Sequence, residues 1–273
     1  MILKGFPSSS VRPKANQPGQ PDVDKTRITV VDALRGFAVL GILIMNIQSF
    51  AMPDAAYMNP MAFGISGSIT DTANGWAYIF SHLFADQKFM TIFSLLFGFS
   101  MALMFDSERQ HSRWFLCKRN ALLLAMGCLH AYLIWHGDIL VTYALCGFIV
   151  AWLLKLSNQL LFFTGSLLLL VPVVSTIGSF YLLPHWNPGD VAALQELWQP
   201  DTTAIQGEIA LMLGSWWQQL PLRIEKAIKL QVYLFSSETG WRVIGLMLWG
   251  AALHRIEWFQ RPHLRPLLLI RTL

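Results

Sequence analysis

Five polar side chains in this sequence stand inside or at the rims of long apolar runs: Arg35, Asn46, Lys88, His130 and Asp138. Ionisable groups are costly at membrane depth, so each asks for a chemical or structural reason. An imidazole, with an unperturbed pKa of about 6.5, can accept a proton at neutral pH. That makes His130 the candidate general base, set against the plainer reading of a hydrogen bond to a neighbouring helix. Arg35 and Asn46 are eleven residues apart, three helical turns or about 16 Å, on nearly one azimuth. One helix face would then carry a cation at its inner end and an amide in its outer half, as in a lined cavity. The plainer readings are an ion pair between Asp32 and Arg35, three residues apart, and an interhelical bond from Asn46. Lys88 and Asp138 both fall at outer ends of runs and are each other's obvious partner, unless Lys88 simply snorkels outward. His82 and Asp86, one turn apart, could orient each other or form a solvated interfacial pair, and His136, near a run's exit, reads as interfacial. No GxxxxGK[ST], GxGxxG or HExxH motif occurs, and no metal-ligand spacing. The three cysteines, Cys117, Cys128 and Cys146, read as packing rather than a disulfide framework.

The elements that must position these groups are long and apolar. The 273-residue chain is 54% hydrophobic and 13% charged, where a soluble domain carries about 25% charged residues. So little charge cannot clothe a surface in water, and the bilayer is the expected partner. The net charge of +4 lies in short blocks between apolar runs rather than in one patch, which argues against nucleic acid. The first run extends from about Ile28 to Met52, and others follow at 76–105, 120–136, 138–155, 159–183 and 241–256. Each approaches the roughly 20 residues that span a bilayer as a helix, and backbone groups in hydrocarbon must bond internally. The expected fold is all-α, a polytopic transmembrane bundle of about six spans.

Lys and Arg set the orientation. The tail at 1–27 holds Lys4, Arg12, Lys14, Lys25 and Arg27; later blocks hold Arg109, Arg113, Lys118 and Arg119, then Lys155, then Arg255, Arg261, Arg265 and Arg271. The loop at 53–74 and the turn His136-Gly137-Asp138 have none. Alternation predicts both termini in the cytoplasm. Residues 1–27, rich in proline and polar groups, read as a disordered basic tail with no secretory signal, and 257–273 as a second basic tail. Residues 184–240 form a long outer segment, in which 222–235 reads as an amphipathic helix on the membrane surface. A seventh, short or re-entrant segment at 209–220, which would disturb the even count, is the alternative. Gly36 and Gly98 read as points of close helix packing.

Three blocks carry a family resemblance: Val31-Asp-Ala-Leu-Arg35 through Asn46, Lys88-Phe-Met-Thr-Ile-Phe-Ser-Leu-Leu-Phe-Gly98, and His130-Ala-Tyr-Leu-Ile-Trp-His-Gly137-Asp138. A fourth runs from Gly240-Trp241-Arg242 to Gly250-Ala-Ala-Leu253. Over 28–256 the chain resembles the YeiB-like family of bacterial inner-membrane proteins (domain of unknown function 418). Its first block is more distantly similar to the transmembrane acyltransferases, including acyltransferase family three and heparan-α-glucosaminide N-acetyltransferase. These have an Arg, ten residues, then His or Asn, as Arg35 and Asn46 stand here. The resemblance implies a multi-pass protein of the inner membrane that passes an acyl group from cytoplasmic acyl-CoA to a small-molecule or glycan acceptor outside. No permanently bound cofactor is expected. Asn46 stands where acyltransferase family three has His, so His130 would have to be the base. Arg35, Asn46, Lys88 and Asp138 would bind and orient substrate. Family members continue with further helices, whereas this chain reaches Leu273 after a short run at 267–270, so a truncated next span is a further expectation. Two other classes stay open. One is a transporter or exporter of a small solute, although no internal repeat supports it; the other is a non-catalytic membrane subunit or remnant.

Overall fold

A computed structural model describes residues 23–62, 69–106 and 113–258. The tail residues 1–22 and 259–273, and Arg109 in the segment 107–112, lie outside the described residues. Among those described, all regular structure is helical. The long elements are the ones whose composition leaves no alternative: continuous apolar runs free of strand-period alternation.

Helix α1 is Val23–Ala51. It begins inside the segment read as a disordered tail, because Val23–Arg27 continue the same helix without a breaker. A one-turn helix α2 (Ala55–Met58) follows. The run at 76–105 is two helices, α3 (Ala73–Phe84) and α4 (Lys88–Asp106). Gln87, with φ of 60°, lies between them in the left-handed region that interrupts a helix. Helix α5 (Arg113–Leu129) passes directly into a π-helical turn, His130–Ile134. Then come α6 (Leu140–Leu153) and α7 (Asn158–Leu182). The segment 184–240 holds α8 (Pro188–Trp198), α9 (Thr202–Met212) and α10 (Trp216–Ser236), and α11 (Glu238–Arg255) closes the described fold. Asn187 and Asp201 cap α8 and α9 by accepting from the Gly189 and Ala204 N–H groups.

The core forms where α4, α6, α7 and α11 meet, around Met101, Tyr143, Cys146, Leu161, Met247 and Ala251. Helix α11 runs along both α4 and α7. Its approach to α4 depends on glycine: a Cβ on Gly98 would collide with the Met247 carbonyl, and one on Gly250 with that of Leu95. Small residues at such crossings let helix backbones touch. Gly98 thus packs closely, as expected. Gly36 does not, since a Cβ there would meet nothing within 4 Å.

Among the described residues, three stretches are long and apolar enough to cross a membrane: 31–51, 73–106 and 158–185. Only 11% of the most apolar part of the last is buried. Leu160, Phe163, Leu170, Val174 and Phe180 are turned outward there, and Phe37, Leu40, Ile47 and Phe50 on α1. Apolar faces this continuous are far larger than a water-soluble monomer ordinarily exposes. They fit lipid as the solvent.

Candidate functional site

A cavity of about 200 Å³ opens between α1, α4, α5 with its π-helical turn, and α6. Its walls are apolar, from Val39, Ile42, Phe93, Phe97, Leu123 and Tyr143 among others. Asn46, His130 and Asp138 are among the residues that line it. Three of the five residues singled out by sequence therefore line one cavity, although up to 92 positions separate them in the chain.

His130 and Asp138 form the polar heart of this space. The His130 Nδ1 lies 2.7 Å from Asp138 Oδ2, and the Asp138 side chain is wholly buried. Its other oxygen, Oδ1, accepts from the Val141 N–H at 3.0 Å, so the first turn of α6 pins the carboxyl group. Both oxygens are thus fixed by groups whose positions the backbone sets. The network assigns the imidazole proton to Nδ1, donating to Asp138. That leaves Nε2 as the nitrogen able to accept, on a ring still about a third exposed. A base oriented by a carboxyl group in this way is a recurring arrangement in proton transfer.

The local sequence explains the geometry. Gly137 follows Trp135 and His136, and a Cβ on Gly137 would strike the Trp135 indole ring. The turn can therefore fold tightly enough to bring residue 138 back against residue 130. Trp135 packs on Phe50 of α1, with ring centroids 4.5 Å apart, and lines the cavity. On the opposite wall the Tyr143 hydroxyl is 2.6 Å from Ser94 Oγ, and it donates to the Met90 carbonyl at 3.3 Å. These bonds hold the Tyr143 ring edge-on to Phe93.

Arg35 and Lys88 do not line the cavity. Arg35 donates to Asp32 at 3.2 Å, the local ion pair that their spacing allowed. Lys88 is exposed at the start of α4, and its Nζ reaches the Asp86 carbonyl at 3.4 Å. The expected pairing of Lys88 with Asp138 gives way to the His130–Asp138 pair, because the π-helical turn and Gly137 fold the two ends of one short segment together. His82 likewise turns to the Tyr78 and Tyr57 carbonyls rather than to Asp86.

A second cluster lies beside the site and was not legible in the sequence. His136 Nε2 is 3.2 Å from Asp54 Oδ1, Lys226 Nζ is 2.9 Å from Asp54 Oδ2, and Lys226 also meets Glu208 at 2.6 Å. The loop after α1, the turn before α6, α9 and α10 are tied together by these bonds. Burial works against ionisation of Asp54, but the His136 hydrogen bond and the Lys226 charge prevail and hold its carboxyl at about 2. Burial also works against the Lys226 ammonium, yet Asp54 and Glu208 push its pKa above the usual lysine value. Helix α10 packs against the π-helical turn, α6 and α11.

An all-helical chain with stretches able to cross a membrane, built round a small apolar cavity with an oriented histidine, defines the class: a membrane-associated helical protein. The chain is 34% identical over 237 residues to the uncharacterized protein YeiB of Escherichia coli (strain K12), covering 86% of this chain and 57% of that one. It is 36% identical over 169 residues to the uncharacterized protein YxaH of Bacillus subtilis (strain 168), covering 59% and 41%. An uncharacterized 39.9 kDa protein in the amylase 3′ region of Bacillus acidopullulyticus is 27% identical over 161 residues, covering 58% and 43%. These relatives support a YeiB-like family for the chain. The chain spans about half the length of the curated relatives it matches. No family model and no solved structure matches it.

Proposed function

We propose that this chain is a multi-pass inner-membrane protein of the acyltransferase kind, with His130 as its general base. The observation that carries the reading is the 2.7 Å contact between His130 Nδ1 and the fully buried Asp138, at the wall of an apolar cavity that Asn46 also lines. The α5 helix with its π-helical turn, α6 and α11 join the three long apolar stretches as crossings in this reading, giving six with both termini inside. Charge supports it: Arg113, Lys118 and Arg119 open α5, whereas the His136–Asp138 turn that ends that crossing is free of Lys and Arg.

In the proposed step an acceptor hydroxyl gives its proton to His130 Nε2 as its oxygen attacks the thioester carbonyl of an acyl-CoA. The carbon–oxygen bond forms, the carbon–sulfur bond breaks, and the leaving thiolate takes the proton back from the imidazolium. Asn46 orients the acyl carbonyl, the apolar walls receive its hydrocarbon, and Arg35 draws the donor's phosphates to the inner face. Lys88, off the cavity, takes no part in the step.

The test uses the chain in proteoliposomes with radiolabelled acyl-CoA supplied on the cytoplasmic face and a mixture of hydroxylated acceptors. Transfer should fall by roughly 10²–10⁴-fold in His130→Ala, the usual worth of a positioned base. Undiminished transfer by that variant would remove the base and the proposal with it. Solute flux through the same vesicles without any acyl-CoA would favour export through the cavity instead.

A further inference from the structure

The orientation of His130 is set by the π-helical turn it begins, and that turn is gripped from outside by α10. The turn closes through the Trp135 N–H, which donates to the His130 carbonyl at 2.8 Å. Carbonyls at the end of a helix have no partner within it and must find one elsewhere. The Leu133 carbonyl finds two, both on α10: Arg223 Nη1 donates at 2.8 Å and Trp216 Nε1 at 2.9 Å. One residue earlier, the Tyr132 hydroxyl donates to Gln231 Oε1 at 2.9 Å.

The grip is itself anchored. Arg223 Nη2 donates to Gln219 Oε1 at 2.7 Å, and Gln219 Nε2 donates to the Met212 and Gly214 carbonyls at 2.8 and 2.9 Å. A continuous line of hydrogen bonds therefore runs from the α9–α10 turn through Gln219 and Arg223 to Leu133, three residues from His130. Arg223 is only 9% exposed, and its hydrogen-bond acceptors among the described residues are a carbonyl and an amide, with no carboxylate. Burying a guanidinium against neutral acceptors is an expensive way merely to stabilise a fold. Its planar fork, by contrast, fixes direction at two acceptors at once. Single π-helical turns recur at functional sites because they re-aim side chains.

We infer that Arg223 is a positioning residue, which holds the π-helical turn through the Leu133 carbonyl so that His130 Nδ1 meets Asp138. Its purpose rests on the reading of His130 as a base; its geometric effect does not. Lysine can supply one of the two bonds from this position, and alanine neither. Trp216 supports the same carbonyl from about two turns earlier on α10 and contributes a smaller part.

The experiment reads the ring proton itself. The full chain is placed in lipid nanodiscs with ¹⁵N-labelled histidine, and the Nδ1–H resonance of His130 is assigned among the seven histidines by its loss in His130→Ala. In Arg223→Ala that resonance should vanish, or its proton should exchange with water roughly tenfold faster, the factor that goes with losing a hydrogen bond from a charged donor. Arg223→Lys should restore part of the protection, and Trp216→Phe should show a smaller loss, each with unchanged helix content by circular dichroism. Where Arg223→Ala does not fold, the Lys and Phe variants carry the same comparison. A wild-type resonance and exchange rate in every folded variant would overturn the inference, as would a loss of helix content with no change specific to His130. Dependence of the resonance on Arg223 in a chain that transfers no acyl group would leave the positioning intact and sink the acyltransferase reading alone.

Discussion

The chemistry of single residues here depends on what each one is paired with. Asp138 shows this most sharply, since its two oxygens are spent on His130 and on the Val141 N–H. Asp138→Asn should keep the shape but let the amide donate to the ring, turning the imidazole to the other tautomer. Acyl transfer should then fall by an amount comparable to His130→Ala, roughly 10²–10⁴-fold, while the thermal melt in detergent changes far less than transfer does. Equal transfer by Asp138→Asn and the parent would show that ring orientation is irrelevant. Asp54 makes a prediction about acid. Its folded-state pKa, about 2, lies below the ordinary 3.8, so the contacts with His136 and Lys226 contribute fully above about pH 4 and are lost as pH falls through about 2. Replacing Lys226 with Met removes one of the two influences that depress it. A carboxyl ¹³C titration of Asp54 should then show its midpoint move up toward the ordinary value, and an unmoved midpoint would discount the ammonium.

At the scale of elements, the fold rests on how closely α4 and α11 approach. A methyl group on Gly98 must displace the Met247 carbonyl, which is backbone and cannot swing aside. Gly98→Ala should therefore destabilise by roughly 1–3 kcal/mol, the usual cost of overpacking. Gly36→Ala, where nothing lies within 4 Å, should be neutral or slightly stabilising in the same helical setting. Thermal melts of the two variants side by side in one detergent decide the matter, and equal behaviour would mean that the helices slide past each other without cost. The sequence placed glycine at both positions and offered no way to tell them apart. The difference comes from which helix face meets a partner, and that is a property of the assembled bundle. The same reasoning applies to α10. Its mixed charges and apolar residues at helical spacing read as a helix lying on the membrane surface. The structure adds a packed side against the π-helical turn, while Ile228, Val232 and Tyr233 stay turned outward.

For the whole molecule, the outward apolar faces of α1 and α7 state the solvent, and charge alternation proposes the direction of threading. Single cysteines introduced in place of Asn187 and Gln199, in a chain with Cys117, Cys128 and Cys146 replaced, should react with a membrane-impermeant maleimide from the periplasmic side of intact cells. One in place of Lys155 should react only after the membrane is opened. Labelling of position 155 in intact cells would reverse the orientation and place the cavity's polar end on the wrong side for the proposed acceptor.

The amino-acid sequence alone determined that the chain is helical and belongs in lipid, because run length and sparse charge act through local backbone bonding and solvent, with no knowledge of partners required. It also exposed His130, Asn46 and Asp138, since polar groups are conspicuous in apolar runs. Only the tertiary structure decided that Asp138 serves His130 rather than Lys88, that Arg35 stays with Asp32, and that α10 holds the turn beneath the candidate base. Those pairings turn on a π-helical turn, a glycine under an indole ring and contacts between helices some ninety residues apart, and none of these leaves a periodic mark in the chain.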